Sequence, residues 1–506
     1  MPVAARAEPI QYEAQAQLPT SCEREKIVAE KRQVVIVGAS YGGLIAGALL
    51  AEAGMDTLLI DENDLVGQPG GAVPYNGYWI DWSHRDARGT RDCLMVNFRE
   101  GGYGWMAAER CGAQVRSIGP TELKAHVIPG GQIAIASTDS PAAAAPYLSA
   151  VLALPEAKVA KFFEIRKELK ETSPEESIRL RDVRFAEWLP TLGDDEMAAA
   201  YRGLATSMYS IPPEETSLGR FIENYAKPSL RVSVADDDEV GGMQGYMEPF
   251  ARVIRSSGGE IRLNQKLLEM SVTDGTARGI LVRDERGFVT EIEADYVIYA
   301  GIAYDLENYV SKELIDESWW QRAYSTKKHE LPTTALYLGL KEIPRKRDGV
   351  LEDWIGWNRL LVGDDRTYGG GWFIPSLASR RSAPEGKHLL EAVYGGPASY
   401  GNGKKALDTL LEYIKAYYPG IESLIEWQQV QYHTSPSTTG WSFSGSERVP
   451  VEGPLQGLFM VSSTSEVQGS YQEIEAHAAL LAADTILEQT SNMGQPVAQV
   501  SGVVGR

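Results

Sequence analysis

The stretch Gln33-Val34-Val35-Ile36-Val37-Gly38-Ala39-Ser40-Tyr41-Gly42-Gly43 decides the fold class of the chain. Its first part is a run of β-branched residues, which is typical of a buried strand in a parallel sheet, and Gly38 ends that run. The residues from Leu44 to Ala53 are nearly all good helix formers, and Gly54 supplies a helix stop. Thr57–Ile60 then predicts a second buried strand. The order strand, helix, strand predicts a βαβ unit and therefore an α/β fold.

The turn between this strand and this helix has the spacing of a dinucleotide-binding motif. Gly38 allows a tight turn, Gly43 lets helix and strand pack closely, and free N–H groups at the helix start can hold a pyrophosphate. Ser40 stands where the usual pattern has its second glycine. Asp61 lies 23 residues after Gly38, where an acid accepts hydrogen bonds from the adenosine ribose. We therefore predict a nucleotide site rather than a plain glycine-rich turn, although the motif alone does not distinguish a nicotinamide from a flavin.

Composition excludes several classes of protein. The chain has 506 residues, of which 43% are hydrophobic, enough for about three domains. The 49 basic residues against 69 acidic ones leave a formal charge of -20, which opposes binding to nucleic acid. The cysteines Cys22, Cys93 and Cys111 form no CxxC pair, so we expect neither a disulfide framework nor a metal site, and a reducing compartment. No apolar run is long enough to span a bilayer or serve as a signal peptide, which predicts a cytoplasmic protein.

The rest of the chain resembles a known family of flavoproteins. The segments Val66-Gly67, Gly77-Tyr78-Trp79-Ile80-Asp81 and Gly457 to Asp484 are similar to the two-part flavin site of the amine oxidase and carotenoid desaturase superfamily. Three further segments resemble the phytoene desaturase-like branch: Gly241-Gly242-Met243, Ile261-Arg262-Leu263-Asn264 before Leu267, and Ala383-Pro384-Glu385-Gly386-Lys387-His388. The resemblance extends from about Lys31 to Leu487.

This resemblance implies a two-domain α/β flavoprotein. Its Rossmann-like FAD-binding domain has a parallel sheet that is discontinuous in sequence, and its substrate domain combines a mixed sheet with helices. We expect a mobile tail at 1–30, the FAD-binding domain at 31–110, 235–310 and 445–490, the substrate domain with a helical cap at 111–234 and 311–444, and a second tail at 491–506.

The resemblance also implies which residues bind noncovalent FAD. The N-terminus of the last helix is expected to point at the flavin ring, because its dipole favours the negative charge of the reduced ring. Two departures from the family pattern are Ser462-Ser463, where relatives have a Gly-Asp pair, and Gly67-Gln68-Pro69, where they have a double glycine and an arginine. The residues expected to bind FAD are Gly38, Ser40, Tyr41, Gly42, Gly43, Asp61, Glu62, Gly67, Leu267, Ser463, Gln472 and Ile474.

We predict a desaturase or dehydrogenase that acts on carbon–carbon bonds of a hydrophobic, isoprenoid or terpenoid substrate by hydride transfer to the flavin. The strand Thr333–Leu340 lacks the lysine that amine oxidases of the superfamily place there, and aromatic residues such as Trp79, Trp105 and Trp372 suggest an apolar cavity. For proton transfer the first candidates are Glu473 and Tyr471 at the last helix, with His84 next and His477 as a weaker member.

Three other functions stay open on the sequence. A flavin-dependent isomerase or hydratase would use the same fold without net redox change, and a non-enzymatic carrier could bind a prenyl chain without flavin. An amine oxidase is the least favoured, for want of the lysine. An oxidoreductase also needs an electron acceptor, which could be a quinone, a redox protein or oxygen. A lipophilic substrate would further allow peripheral contact with a membrane.

Overall fold

The computed structural model describes most of the chain. The described residues are 28–68, 70–81, 95–96, 98–121, 124–127, 132–135, 141–209, 213–223, 232–325, 333–362, 367–395, 402–433, 448–469 and 472–492. The strands are β1 (Val28–Val37), β2 (Thr57–Ile60), β3 (Val73–Tyr75), β4 (Tyr78–Ile80), β5 (Met95–Val96), β6 (Ser117–Thr121), β7 (Lys124–Val127), β8 (Gln132–Ile135), β9 (Val232–Ala235), β10 (Glu260–Arg262), β11 (Lys266–Thr273), β12 (Thr276–Arg283), β13 (Val289–Tyr299), β14 (Thr333–Leu340), β15 (Asn358–Val362), β16 (Thr367–Phe373), β17 (His388–Gly395), β18 (Ile425–His433) and β19 (Leu458–Met460). The α-helices are α1 (Tyr41–Glu52), α2 (Tyr103–Cys111), α3 (Pro141–Leu152), α4 (Val159–Glu171), α5 (Pro174–Arg179), α6 (Phe185–Trp188), α7 (Asp195–Tyr209), α8 (Leu218–Phe221), α9 (Gln244–Ser256), α10 (Glu317–Ser325), α11 (Gly403–Tyr417) and α12 (Gln472–Asn492).

The first large sheet has a parallel centre. Its order is β10-β2-β1-β13-β12-β11, and β19 also pairs with β13. The contacts of β1 with β2 and β13, and of β13 with β19, are parallel, whereas β11 and β12 run antiparallel to their neighbours. Because both faces of a parallel centre are covered, its strands are apolar throughout, as Val34, Val35 and Ile36 illustrate with no exposed surface. This sheet confirms the predicted α/β class.

Helices α1, α9 and α12 cover one face of this sheet. Helix α1 is buried on every side, which explains why its sequence carries no charged residue before Glu52. Two glycines allow this close packing: Gly42 lies against Val461 and Glu475 of the C-terminal segment, and Gly47 lies against Ile254 of α9. The N-terminal turn of α1 is therefore in contact with the start of α12, far away in sequence.

One strand boundary differs from the sequence prediction. Strand β1 starts at Val28, inside the predicted tail 1–30, because Val28–Lys31 pair with β13 and Arg32 is ion-paired with Glu30, Asp56 and Glu260.

The strands of the second large sheet all come from the residues predicted as the substrate domain, and their order is β18-β14-β17-β16-β15-β7-β8. One face packs against α11 through residues such as Leu336 and Leu390. The opposite face, which includes Ala335 and Tyr337, packs against the β3–β4 hairpin, so that the alternation along β14 divides two cores.

Helices α3 to α8, in the segment predicted as a helical cap, share an aromatic core that includes Phe162, Phe185 and Tyr201. Buried ion pairs join this cap to the segment before α12, because Arg220 is bonded to both Glu223 and Glu466. No helix in the described part of the chain combines the length and apolarity needed to cross a membrane.

Candidate cofactor site

A cleft opens at the carboxyl ends of the parallel strands. The last residues of three strands, Val37, Ile60 and Tyr299, line it together with the N-terminal turn of α1 and the start of α12. Its volume, including the part open to solvent, is about 1280 Å³. Ligands of open α/β sheets bind at this edge of the sheet.

The glycine turn at the centre of the cleft is held in a conformation that its residue types require. Gly38 has a φ of +107°, which residues with side chains rarely adopt. Ser40 is the N-cap of α1, and its Oγ accepts a hydrogen bond from the Gly43 N–H (3.4 Å) and donates one to the Ala300 carbonyl (3.2 Å). A Cβ atom on Gly43 would lie only 2.0 Å from the Gly38 oxygen. The turn therefore depends on both glycines, as the sequence indicates, while Ser40 stabilises the helix start.

Asp61 supports the same turn from the end of β2. Its Oδ2 accepts a hydrogen bond from the Ala39 N–H (2.6 Å), and its Oδ1 accepts from the Asn63 N–H (2.7 Å) and Nδ2 (2.8 Å). Burial nevertheless raises the pKa of the Asp61 carboxyl. The side chain lines the cleft, where a ribose-binding acid was expected, and it has a structural role that the motif alone did not suggest.

Glu475 reaches the cleft from the first turn of α12 and was missed at the sequence level. Its Oε2 accepts a hydrogen bond from the Gly42 N–H at 3.1 Å, so a carboxyl group of the chain itself lies at the N-terminus of α1. Burial raises the pKa of Glu475 to about 7. The only sequence signal was an acid in the first turn of a buried helix, and such acids are usually explained by the helix dipole.

Two glutamines test whether the cleft fits FAD. Gln68 is 3% exposed, and neither its Oε1 nor its Nε2 has a hydrogen-bond partner in the structure. The Oε1 of Gln472 also lacks a partner, and both side chains line the cleft. An unpaired buried polar group costs about 1–3 kcal/mol, so these amides call for a polar ligand. The hydroxyl and phosphate groups of FAD would provide hydrogen-bond partners for these amides. Together with the glycine turn and Asp61 at the end of β2, the two glutamines make the described residues fit this cofactor.

The structure brings together most of the residues expected to bind FAD, although they come from distant parts of the chain. Gly42, Gly43 and Ile474 lie behind the surface of the cleft, where Ile474 is fully buried in the core. The predicted residues that line the cleft are Gly38, Ser40, Tyr41, Asp61, Glu62, Gly67, Leu267, Ser463 and Gln472.

The two described candidates for proton transfer, Glu473 and His477, do not line this cleft. The carboxylate of Glu473 accepts hydrogen bonds from the N–H groups of Tyr103 (3.0 Å) and Gly104 (3.2 Å), which makes it an N-terminal cap of α2. Burial raises the pKa of Glu473 to about 7. His477 stacks on the Tyr103 ring, with 3.9 Å between the ring centroids, and its Nδ1 is bonded to the Gln468 carbonyl. Tyr471 and His84 lie outside the described residues.

The aromatic residues used to predict an apolar cavity have mixed positions. Trp372 has no exposed surface and packs in the core between the second sheet and α11, where its Nε1 is bonded to the Tyr418 hydroxyl. Trp105 packs on Phe98 beside α2. Trp372 is therefore a core residue, and the apolar face of the substrate sheet is formed by other side chains.

A pair of buried carboxyl groups lies at the contact between the β3–β4 hairpin and the second sheet. The Asp81 N–H donates to Glu391 Oε1 (3.0 Å), which brings the two acids together. The Met243 N–H donates to Asp81 Oδ1 (2.9 Å). Burial raises the pKa of the Asp81 carboxyl well above its usual range, so burial favours its neutral form.

Comparison with known proteins identifies a family of flavoproteins. Residues 108–484 match the family model described as flavin-containing amine oxidoreductase. No curated protein sequence gives a significant match.

Several solved structures share the fold. An oxidoreductase from Methanosarcina mazei has a TM-score of 0.67 at 19% identity, with 90% of this chain and 100% of that chain covered. A putrescine oxidase bound to putrescine has a TM-score of 0.60 at 15% identity, covering 92% and 100% of the two chains. Cyclohexylamine oxidase from Brevibacterium oxydans has a TM-score of 0.58 at 16% identity, covering 91% and 99%. At these identities the likeness establishes the shared fold.

Proposed function

Since the chain belongs to the family of flavin-containing amine oxidoreductases and is an FAD-dependent oxidoreductase, we propose that its substrate is a hydrophobic molecule of the isoprenoid or terpenoid class, oxidised at a carbon–carbon bond. Within the superfamily this corresponds to the phytoene desaturase-like branch. The proposal concerns the substrate and the bond, and the contacts of the second sheet support it.

The observation that carries the proposal is the apolar character of the substrate sheet where it meets the FAD-binding side. Strand β14 has no charged side chain, and its Ala335 and Tyr337 are at most 1% exposed in a layer with Ile80, Phe373 and Leu389. Of the described charged residues at this layer, Asp81 donates its N–H to Glu391, and Glu426 accepts from the Tyr78 hydroxyl and is ion-paired with Lys387. Burial favours the neutral form of Asp81 and Lys387 already neutralises Glu426, so a cationic amine would lose its hydration here for little electrostatic gain, whereas a hydrocarbon loses nothing.

The chain contributes alignment and exclusion of water to such a reaction. FAD, when bound, supplies the acceptor for a hydride from the substrate. The Gly38 to Gly43 turn and the amides of Gln68 and Gln472 would fix the cofactor, and the apolar layer of the second sheet would keep water away from the reacting carbon.

Anaerobic titration of the FAD-loaded protein with candidate substrates tests this proposal. We expect isoprenoid hydrocarbons to bleach the visible absorption band of the flavin and to yield a product with one more double bond. Failure of every isoprenoid, together with bleaching by amines, would contradict it. Product formation without bleaching of the flavin, and therefore without consumption of an electron acceptor, would instead indicate the isomerase or hydratase.

Amine oxidation is the second candidate, because putrescine oxidase and cyclohexylamine oxidase have the same fold. The same titration with putrescine and cyclohexylamine distinguishes it from the first. If amines are substrates, bleaching should become faster as the pH rises toward the pKa of the amine, because the neutral amine is the form that is oxidised. A hydrocarbon substrate gives no such dependence.

A further inference from the structure

The side chains that line the cofactor cleft have an unusual balance of charge. They include the carboxyl groups of Asp61, Glu62, Asp305 and Glu475, and the described residues that line the cleft include no lysine, arginine or histidine. The pyrophosphate of FAD is a dianion. The backbone N–H groups at the N-terminus of α1 therefore provide the favourable electrostatic contribution that these side chains do not.

One of these carboxyl groups lies at that N-terminus. Glu475 Oε2 accepts the Gly42 N–H at 3.1 Å, and the Glu475 side chain packs against Gly42 with no room for a side chain between the two helices. An ionised carboxylate in this position competes with the pyrophosphate for the N–H group and repels it, since a low local dielectric strengthens repulsion between like charges.

We propose that Glu475 couples FAD binding to a proton: with a neutral Glu475 the N-terminus of α1 binds the pyrophosphate, and with an ionised Glu475 it binds it more weakly. The proposal rests on FAD being the cofactor and does not depend on which substrate the enzyme oxidises.

The surroundings of Glu475 place its ionisation within an accessible pH range. Burial raises the pKa of Glu475 to about 7, and the Gly42 N–H lowers it by a smaller contribution. From α1 it faces the Tyr41 hydroxyl, whose own pKa is raised by burial and by the acids of α12. Asp61 and Glu62 approach from the end of β2, and both add negative charge to the cleft.

Two described cations on the neighbouring elements are engaged with other acids. Arg99, at the start of the segment leading to α2, acts on Glu473 of α12. Arg110 of α2 is paired with Asp484, with 2.5 Å between Nη1 and Oδ1. A bound pyrophosphate would therefore raise the pKa of Glu475 further, and binding above that pKa takes up a proton.

The experiment measures FAD binding to the apoprotein by quenching of flavin fluorescence between about pH 6 and about pH 9. The dissociation constant should be nearly constant below about pH 6.5 and should then rise, by up to tenfold per pH unit, above about pH 7. Calorimetry in two buffers with different ionisation enthalpies should show the uptake of about one proton per FAD at about pH 8 and almost none at about pH 6.

Two variants identify the responsible group. Glu475→Gln keeps an oxygen that can accept the Gly42 N–H, so it should bind FAD with little pH dependence and more tightly than the wild type at about pH 9. Glu473→Gln is the matched control, because Glu473 lies in the same turn of α12 and its pKa is also raised to about 7, but it contacts α2 instead of α1. Its dissociation constant for FAD should depend on pH as that of the wild type does.

A dissociation constant that is independent of pH in the wild type, or a slope that persists in Glu475→Gln, overturns the proposal. If Glu475→Gln does not fold, the calorimetric proton uptake of the wild type decides in the same way. Absence of FAD binding at every pH overturns the proposal together with its premise. Failure of all isoprenoid substrates, with pH-dependent FAD binding retained, overturns only the proposed function.

Discussion

The close approach of α1 to the turn after β1 can be tested by placing a single methyl group between them. In Gly43→Ala the new Cβ would lie 2.0 Å from the Gly38 oxygen and 3.0 Å from the Ala300 Cβ. Carbon–oxygen contacts are normally about 3.3 Å or longer, so helix and turn must separate by more than about 1 Å. The Gly38 oxygen is a backbone atom and cannot move away by a side-chain rotation.

The size of the effect follows from two opposing contributions. Overpacking of a tight interior costs about 1–3 kcal/mol, and a backbone clash lies at or above the upper end of that range. Replacing glycine by alanine inside a helix stabilises the helix by about 1 kcal/mol. Gly47→Ala is the matched control in the same helix, since its Cβ meets the ends of the Ile254 and Ile36 side chains at 2.8 and 3.2 Å, which can rearrange. We expect Gly43→Ala to be less stable than Gly47→Ala by about 2 kcal/mol.

Urea unfolding and FAD fluorescence quenching measure the two consequences. Gly43→Ala should lose stability and should bind FAD at least about tenfold more weakly, because the displaced turn moves the N–H groups of α1. Gly47→Ala should bind FAD nearly as the wild type does. If Gly43→Ala bound FAD and unfolded like Gly47→Ala, the close contact between helix and turn would not be required for the site.

Three other predictions concern buried charges. Burial raises the pKa values of Asp81, Glu473 and Glu475, so between about pH 5 and about pH 7 the native state holds protons that the unfolded state has released. The free energy of unfolding in urea should therefore fall as the pH rises from about 5 to about 8. A free energy of unfolding that stays constant or increases over this range would contradict these raised pKa values. Replacing Arg220 by methionine should cost about 1–3 kcal/mol in the same measurement, less than the loss of a whole buried pair, because Arg181 still pairs with both Glu223 and Glu466. Replacing the exposed Arg202 in the same way should cost less than about 1 kcal/mol. Glu473→Gln should lower the free energy of unfolding by about 1 kcal/mol, because the cap on the N-terminus of α2 is weakened. If the variant were as stable as the wild type but its flavin were reduced more slowly by substrate, Glu473 would have the predicted catalytic role instead.

The βαβ opening could be predicted because its determinants are local. The run ending at Val37 can only be a buried strand, Gly38 needs a positive φ, and the helix that follows carries no charge before Glu52. The strand Thr57–Ile60 has the predicted bounds for the same reason. Family resemblance added the second domain and the cofactor, which no local pattern indicates.

Strand β11 and the contacts of Glu475 could not be predicted in this way. The Lys266–Thr273 segment mixes exposed and buried residues, and it becomes a strand because β12 pairs with it across a bulge. Glu475 contacts Gly42 across 433 residues of sequence, and its position follows from the close packing of α12 on a helix that has a glycine at the contact. The sequence shows the acid but not what lies opposite to it.

The glycine turn is held by carboxyl groups that belong to the chain, and this determines how the site can recognise its cofactor. Asp61 accepts the Ala39 N–H and Glu475 accepts the Gly42 N–H, so two donors of the turn are engaged by internal acceptors. A pyrophosphate brings oxygens of the same kind to the same helix N-terminus. When FAD binds, an N–H group of the turn exchanges a carboxyl oxygen for a phosphate oxygen, so its hydrogen bonding changes little. The free energy of FAD binding therefore depends mainly on whether that carboxyl group is charged. Because the chain carries a net charge of -20, long-range electrostatics do not favour the incoming anion either. A proton on Glu475 is then the least costly way to make the turn favourable for FAD.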